Sequence, residues 1–214
     1  MSRVFSRKVR FKADDGSEYP EWKNITIGEF GEFFGGLSGK GKDDFNHGDG
    51  RFVTYMNVYK NTFADKDGVT AVEVQPNEKQ NHIQYGDIMF TQSSENVEEV
   101  GLSSVWTHDT TPFMNSFCMA LRPHKLNDID IYYLGYVFRS DEVRKQIMMQ
   151  GQGISRINLA ASRIKDVTFP IPSLSEQKKI GQFLYDFDKA ISTKQDMLKC
   201  WENIKKGLLQ QMFV

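Results

Sequence analysis

Phe169-Pro170-Ile171-Pro172-Ser173-Leu174-Ser175-Glu176-Gln177-Lys178-Lys179-Ile180 divides the chain into two parts of different character. Each proline biases its predecessor away from helix, so Phe169 to Pro172 reads as extended chain. Ser173 with Glu176 three residues later makes a capping box, and a helix is predicted to open there. Beyond it, Ile180, Phe187, Trp201 and Leu208 fall in one heptad series, and Leu184, Ile191, Leu198 and Met212 in a second, offset by four. Phe183, Ala190, Met197 and Ile204 flank both. An apolar stripe of that width predicts a covered face.

The helix spans roughly 38 residues and about 57 Å at 1.5 Å per residue, more than a domain of this size covers. It is therefore expected to pack as a coiled coil with a partner helix, through Ile180, Leu184, Phe187, Ile191, Leu198, Trp201 and Leu208. Lys194 and Lys205 interrupt the two series, which favours broad antiparallel or multi-helix packing over a two-stranded zipper. The alternative is a helix folded wholly back onto its own domain.

Upstream of the junction, strand-like stretches rich in Val, Ile, Phe and Tyr are predicted at Asn24 to Ile27, Arg51 to Tyr59, Val69 to Val74, Gly86 to Thr91, Leu102 to Trp106, Ser116 to Leu121 and Val167 to Ile171; Gly, Asp and Asn separate them. Two helices are predicted between, one after Asn127 and one opening at Ser140, whose first turn carries Asp141 and Glu142, with Gly151 as its stop. The fold class is thus α+β: a mainly β domain with a few helices over residues 1–172, of which 1–22 form a lead-in segment, and a long helical region over 173–214.

The 214 residues carry a formal charge of -1, so bulk electrostatics do not mark a nucleic-acid binder, and any basic groups that act on an anion must be local. Cys118 and Cys200 are the only cysteines. They are read as reduced packing residues, since neither a disulfide framework nor a zinc cluster is suggested. No apolar run reaches the ~18 residues of a membrane span, and Met1 to Lys12 is basic without the apolar stretch of a secretory signal. A cytoplasmic protein without membrane contact is expected.

Chemistry of the chain's own finds little support. Gly36-Leu37-Ser38-Gly39-Lys40-Gly41-Lys42-Asp43 approaches a phosphate-binding loop, but Asp43 stands where a hydroxyl would hold magnesium, and no helix can follow. Asp14 or Asp15 with Glu21-Trp22-Lys23 gives only a loose nuclease-like pattern. His47, His82, His108 and His124 are isolated. No catalytic residue, metal ligand or cofactor is assigned.

The Phe169–Ile180 run looks like the junction that opens the long helical region in specificity subunits of type I restriction-modification systems. Phe183-Leu184 and Phe187-Asp188-Lys189-Ala190-Ile191 resemble that helix's first turns, and Lys205 to Val214 its end. Val9-Arg10-Phe11 through Trp22, Gly86-Asp87-Ile88-Met89-Phe90-Thr91, Leu121-Arg122-Pro123 and Gly153-Ile154-Ser155-Arg156-Ile157-Asn158-Leu159 resemble the framework of a target-recognition domain. The resemblance implies a non-catalytic subunit that reads double-stranded DNA and docks methyltransferase and restriction subunits. Complete members carry two recognition domains and two helical regions, whereas this chain has one of each. It is then either a half-subunit that forms a homodimer through its helix or a piece of a longer protein. A scaffold or inhibitor that pairs with a specificity subunit without reading DNA is the other reading.

Base readout calls for Arg or Lys toward guanine and Asn or Gln toward adenine, on loops that reach a groove. Three loops qualify. One holds Lys40, Lys42 and Arg51, a second Gln92, Ser93 and Ser94, and a third Ser155, Arg156 and Asn158. Arg156 and the Gln92 to Ser94 cluster stand out, because Gly151 and Gly153 let the backbone approach a duplex.

Overall fold

A computed structural model describes residues 1–212; Phe213, Val214 and the side chain of Met212, all assigned by the sequence to the helical region, lie outside the described residues. In chain order the elements are α1 (Ser2–Phe5), β1 (Lys23–Thr26), α2 (Ile27–Phe30), β2 (Gly31–Gly35), β3 (Phe45–Val53), α3 (Tyr55–Lys60), β4 (Val69–Val72), β5 (Ile88–Thr91), β6 (Ser93–Ser94), β7 (Ser103–Val105), β8 (Phe113–Met114), β9 (Cys118–Pro123), α4 (Ile131–Val137), α5 (Asp141–Met148), β10 (Ile157–Asn158), α6 (Ala161–Ile164), β11 (Thr168–Ile171) and α7 (Leu174–Met212). The α+β class and the long C-terminal helix stand as the sequence predicts.

The centre is an antiparallel sheet in the order β2-β9-β5-β7. Successive strand residues face opposite sides, and here both sides are apolar. Ile88 and Phe90 of β5 with Met119 and Leu121 of β9 face the main core, under α4, α5 and the base of α7. Met89, Cys118 and Ala120 face a second cluster with Val58 and Trp106. A smaller sheet, β4-β3-β8, is built on a third cluster around Phe52, Val72 and Phe113. Arg139 ties the layers by donating to the carbonyls of Val58, Tyr59, Asn61 and Ser103 at 2.6–3.2 Å. Burial lowers its pKa to about 10, so it stays charged at neutral pH.

Three expectations need correction. The run Arg51 to Tyr59 is not one strand: β3 ends at Val53 and α3 follows. Thr54 caps that helix by accepting from Asn57 N–H at 3.2 Å, and buried Asn57 donates to the carbonyls of Asp65 and Gly68. These side-chain bonds outweigh the strand preference of Val and Tyr. Second, Cys118 is buried but Cys200 is exposed, so only the first is a packing residue. Third, the capping box is half made. Ser173 accepts from Glu176 N–H at 3.4 Å, but the Glu176 carboxylate is drawn off by Arg10, at 3.2 and 3.5 Å.

That diversion explains the junction. Arg10 also pairs with Glu21 at 2.9 Å, and Trp22 lies buried beneath the guanidinium groups of Arg7 and Arg10. Gln177, also buried, donates to Pro172 O and accepts from the Asp130 N–H at the head of α4. Ile180 and Leu184 enter the main core. Lys179 pairs with Asp14 at 2.6 Å and donates to Lys12 O, while Phe11 meets Phe183 edge-on at 5.4 Å. The lead-in segment therefore braces the first three turns of α7.

Candidate nucleic-acid interface

Two of the three candidate loops meet through backbone pairing. Ser93 lies opposite Asn158 and Ser94 opposite Ile157 in the antiparallel β6-β10 pair, which Gln92 O extends by accepting from Leu159 N–H at 2.9 Å. Ile157 is buried and pins the third loop from below. Gln152 and Asn158 exchange both backbone hydrogen bonds, at 2.9 and 2.7 Å, and close the five residues between them into a tight tip. Gly153 sits there at φ 131°, where a Cβ would overlap the Arg156 carbonyl. Only glycine fits both the dihedral and the space.

The second loop is equally ordered. Ser94 Oγ donates to Glu99 at 2.8 Å and Thr91 Oγ1 to the Glu99 carbonyl at 2.7 Å. Buried Arg144 donates to the carbonyls of Glu98 and Val100 at 2.9 and 2.8 Å; desolvation lowers its pKa to about 10, and it remains a cation at neutral pH. Ser94 is thus turned inward, whereas Ser155, Arg156 and Asn158 are exposed and Gln92 and Ser93 half-exposed. Arg156 lies 3.7 Å from Glu95, a pair too exposed to hold it, and 5.8 Å above the ring of Phe117.

Phe117 escapes sequence reasoning, because a Phe inside the strand-like run Ser116 to Leu121 reads as core. Instead it stands 52% exposed in the turn before β9, held by Phe117 N–H to Asn115 Oδ1 at 2.9 Å and by Gln92 N–H to its own carbonyl at 2.8 Å. The same turn links this surface to the smaller sheet, through Asn115 N–H to Val53 O and Leu37 N–H to Met114 O. The first loop therefore neighbours the other two only indirectly.

That first loop is less free than a solvated connection. Lys40 Nζ is buried against Glu78 at 2.6 Å, and the ammonium, with Gln80, holds the Glu78 carboxyl down to about 2. Arg51 leans back on its own strand, donating to Gly48 and Gly50 carbonyls at 3.0 and 2.8 Å. Lys42 is exposed in a short 3₁₀ turn. Among the described residues no group of three or more His, Cys, Asp or Glu is placed to hold a metal ion. The carboxylates of the loose nuclease pattern are occupied as structural partners, Asp14 by Lys179, Asp15 by Ser17 and Glu21 by Arg10.

The predicted helix-packing residues divide. Ile180 and Leu184 are buried in the chain's own core and are not free to meet a partner, which corrects their assignment to an outward seam. Phe187, Ile191, Leu198, Trp201 and Leu208 are 42–64% exposed. No described helix is long and apolar enough to cross a membrane.

The family described as Type I restriction modification DNA specificity domain matches residues 19–199. The type I restriction enzyme MjaVIII specificity subunit of Methanocaldococcus jannaschii is 26% identical over 98% of this chain and 46% of its own length. Among solved structures, the type I restriction-modification S subunit from M. genitalium superposes with a TM-score of 0.58 at 15% identity, over 87% of this chain and 42% of that one. The HsdS subunit from Thermoanaerobacter tengcongensis gives 0.56 at 16%, over 81% and 39%. At these identities the superpositions speak for the fold. The chain spans about half the length of the curated relatives it matches.

Proposed function

The chain belongs to the type I restriction modification DNA specificity family, and on that premise we propose that it is a non-catalytic, sequence-specific DNA-binding subunit that reads one half of a bipartite site. The observation that carries this reading is the β6-β10 pair, which sets Ser93 opposite Asn158, with Gln92 and Arg156 flanking it beside Phe117. Those side chains offer the amide and guanidinium donors that distinguish adenine and guanine edges in the major groove. With a formal charge of -1, such a protein depends on placed contacts and on its partners more than on a general phosphate attraction.

The rest of the reading follows from α7. Residues 1–172 act as the recognition domain and residues 173–214 as dimerisation and spacer region. The exposed apolar residues from Phe187 to Leu208 take the same helix of a second copy, an isologous contact that places two recognition domains on spaced half-sites. Methyltransferase subunits, and restriction subunits in the full complex, dock on that dimer.

The test is to select duplexes from a random library with the chain and its cognate methyltransferase subunit. A bipartite, palindromic site is expected. If no duplex binds more tightly than random sequence, DNA reading is wrong; if the chain alone is monomeric by light scattering at micromolar concentration, self-pairing is wrong. The exposed face of α7, with Trp201 at 64%, also favours a second reading, a scaffold or inhibitor that pairs with a specificity subunit and reads nothing. That protein would pair and select no sequence.

A further inference from the structure

The tip of the third loop carries a side chain that neither the fold nor the contacts above explain. Ile154 is fully exposed, at 103% the most exposed of the large apolar residues. A β-branched apolar residue gains nothing from water, and singly exposed ones are common on surfaces. This one, however, is presented. The tip is closed by the Gln152–Asn158 backbone pair, anchored by buried Ile157 and turned by Gly153 in a conformation no other residue accepts. Two residues on is Arg156, whose guanidinium lies over the exposed ring of Phe117.

We propose that Ile154 is a specificity-determining contact that packs on the C5-methyl group of a thymine in the major groove, beside the base edge met by Arg156. The inference rests on the reading of this surface as DNA-binding. A groove floor offers one kind of apolar group to a protein, the thymine methyl, and a rigid loop tip can deliver a short branched side chain to it without ordering cost. Even fully extended, two residues span no more than about 7 Å of backbone, two steps of a duplex that rises about 3.4 Å per base pair. The thymine therefore lies within about two base pairs of the position at which Arg156→Ala relaxes selection.

The experiment uses the complete chain with its methyltransferase subunit and the duplex selected by that complex, rebuilt with deoxyuridine in place of each thymine in turn. Ile154→Ala is expected to weaken binding about fourfold, the effect of one lost methyl-sized contact. Deoxyuridine at a single thymine should cost wild type the same factor and cost Ile154→Ala nothing further. Ile154→Val, which keeps the branched methyls, should bind within twofold of wild type. Equal binding by Ile154→Ala, no deoxyuridine effect at any thymine, or a selected half-site without an A·T pair overturns the proposal while leaving DNA reading intact. So does weaker capture of the methyltransferase subunit with unchanged DNA affinity, which would make the tip a protein contact. Loss of a duplex bend in Ile154→Ala, measured by end-to-end energy transfer, overturns it in favour of a wedge between base steps. If wild type selects no sequence at all, the DNA reading itself fails and this contact falls with it.

Discussion

Between Leu174 and Leu184 the long helix lies against the rest of the chain, while from Phe187 to Leu209 its apolar side chains face outward. The heptad spacing is the same in both stretches. What differs is the chain beside it: the first stretch has Asp130 and Tyr133 of α4 on one side and Arg10, Phe11 and Asp14 of the lead-in segment on the other. Tyr185 still packs on Tyr132 at 4.4 Å and Asp188 accepts from Tyr136 Oη at 3.0 Å, and beyond Asp188 that company ends. An apolar periodicity therefore states that a face wants covering, and only the tertiary neighbours state by what. The buried stretch fixes the base of the helix on the core, and the exposed one leaves its apolar face uncovered.

The sharpest way to break this comparison is to place one charge in each stretch. Leu184→Glu puts a carboxylate in the main core, and is expected to cost about 4 kcal/mol or more, read as a fall in the urea midpoint or as insoluble protein. Leu198→Glu, at 60% exposure, should abolish self-association by light scattering and, measured at protein concentrations where wild type is also monomeric, leave the midpoint within about 0.5 kcal/mol. Equal stability losses would show that the distal helix is held by its own domain as firmly as the base is.

Glycines repeat the contrast at lower cost. A Cβ on Gly181 would strike the Asp130 carboxylate and stand 2.7 Å from Tyr133 N, whereas one on Gly207 would meet nothing within 4 Å. Gly181→Ala should push α7 off α4 and cost about 3 kcal/mol. Gly207→Ala should instead raise helix content, being worth up to about 1 kcal/mol locally, as seen by circular dichroism. Between the two lies Glu176→Ala, which strands Arg10 beside the buried junction. Because Arg10 is partly exposed and keeps Glu21, about 2 kcal/mol is expected rather than the full cost of a broken buried pair.

Legibility in the sequence followed the range of the forces involved. The junction, α7, α4 and α5 were readable because caps, prolines and helical periodicity act within a few residues. The β3-to-α3 break was not, since Asn57 is fixed by carbonyls eight and eleven residues away. The candidate interface was legible as residue types and illegible as a surface. That Ser93 and Asn158 sit opposite each other is a pairing across 65 positions. Ser94 reads like its neighbours until Glu99 turns it inward, and Lys40 reads as a free cation until Glu78 claims it. The exposure of Phe117 had no signal at all within its own strand-like run.

The smallest effect locates where the lead-in segment's hold on α7 ends. Phe11 and Phe183 meet edge-on at 5.4 Å, and Phe183 stacks in turn toward Phe187 at 6.2 Å. Phe183 is half exposed, so each single Phe→Leu change should cost only about 1 kcal/mol, with a coupling of about 0.5 kcal/mol between Phe11 and Phe183 for the lost edge-to-face geometry. Phe11 touches the helix at the turn before Phe187, so the cycle of Phe11→Leu with Phe187→Leu should be additive within about 0.3 kcal/mol. Both cycles belong on the Leu198→Glu background, where the chain is kept monomeric and self-pairing cannot contribute to the unfolding midpoint. Coupling that reached Phe187 would mean the lead-in segment braces a further turn of α7, and the stretch whose apolar face is uncovered would shorten accordingly.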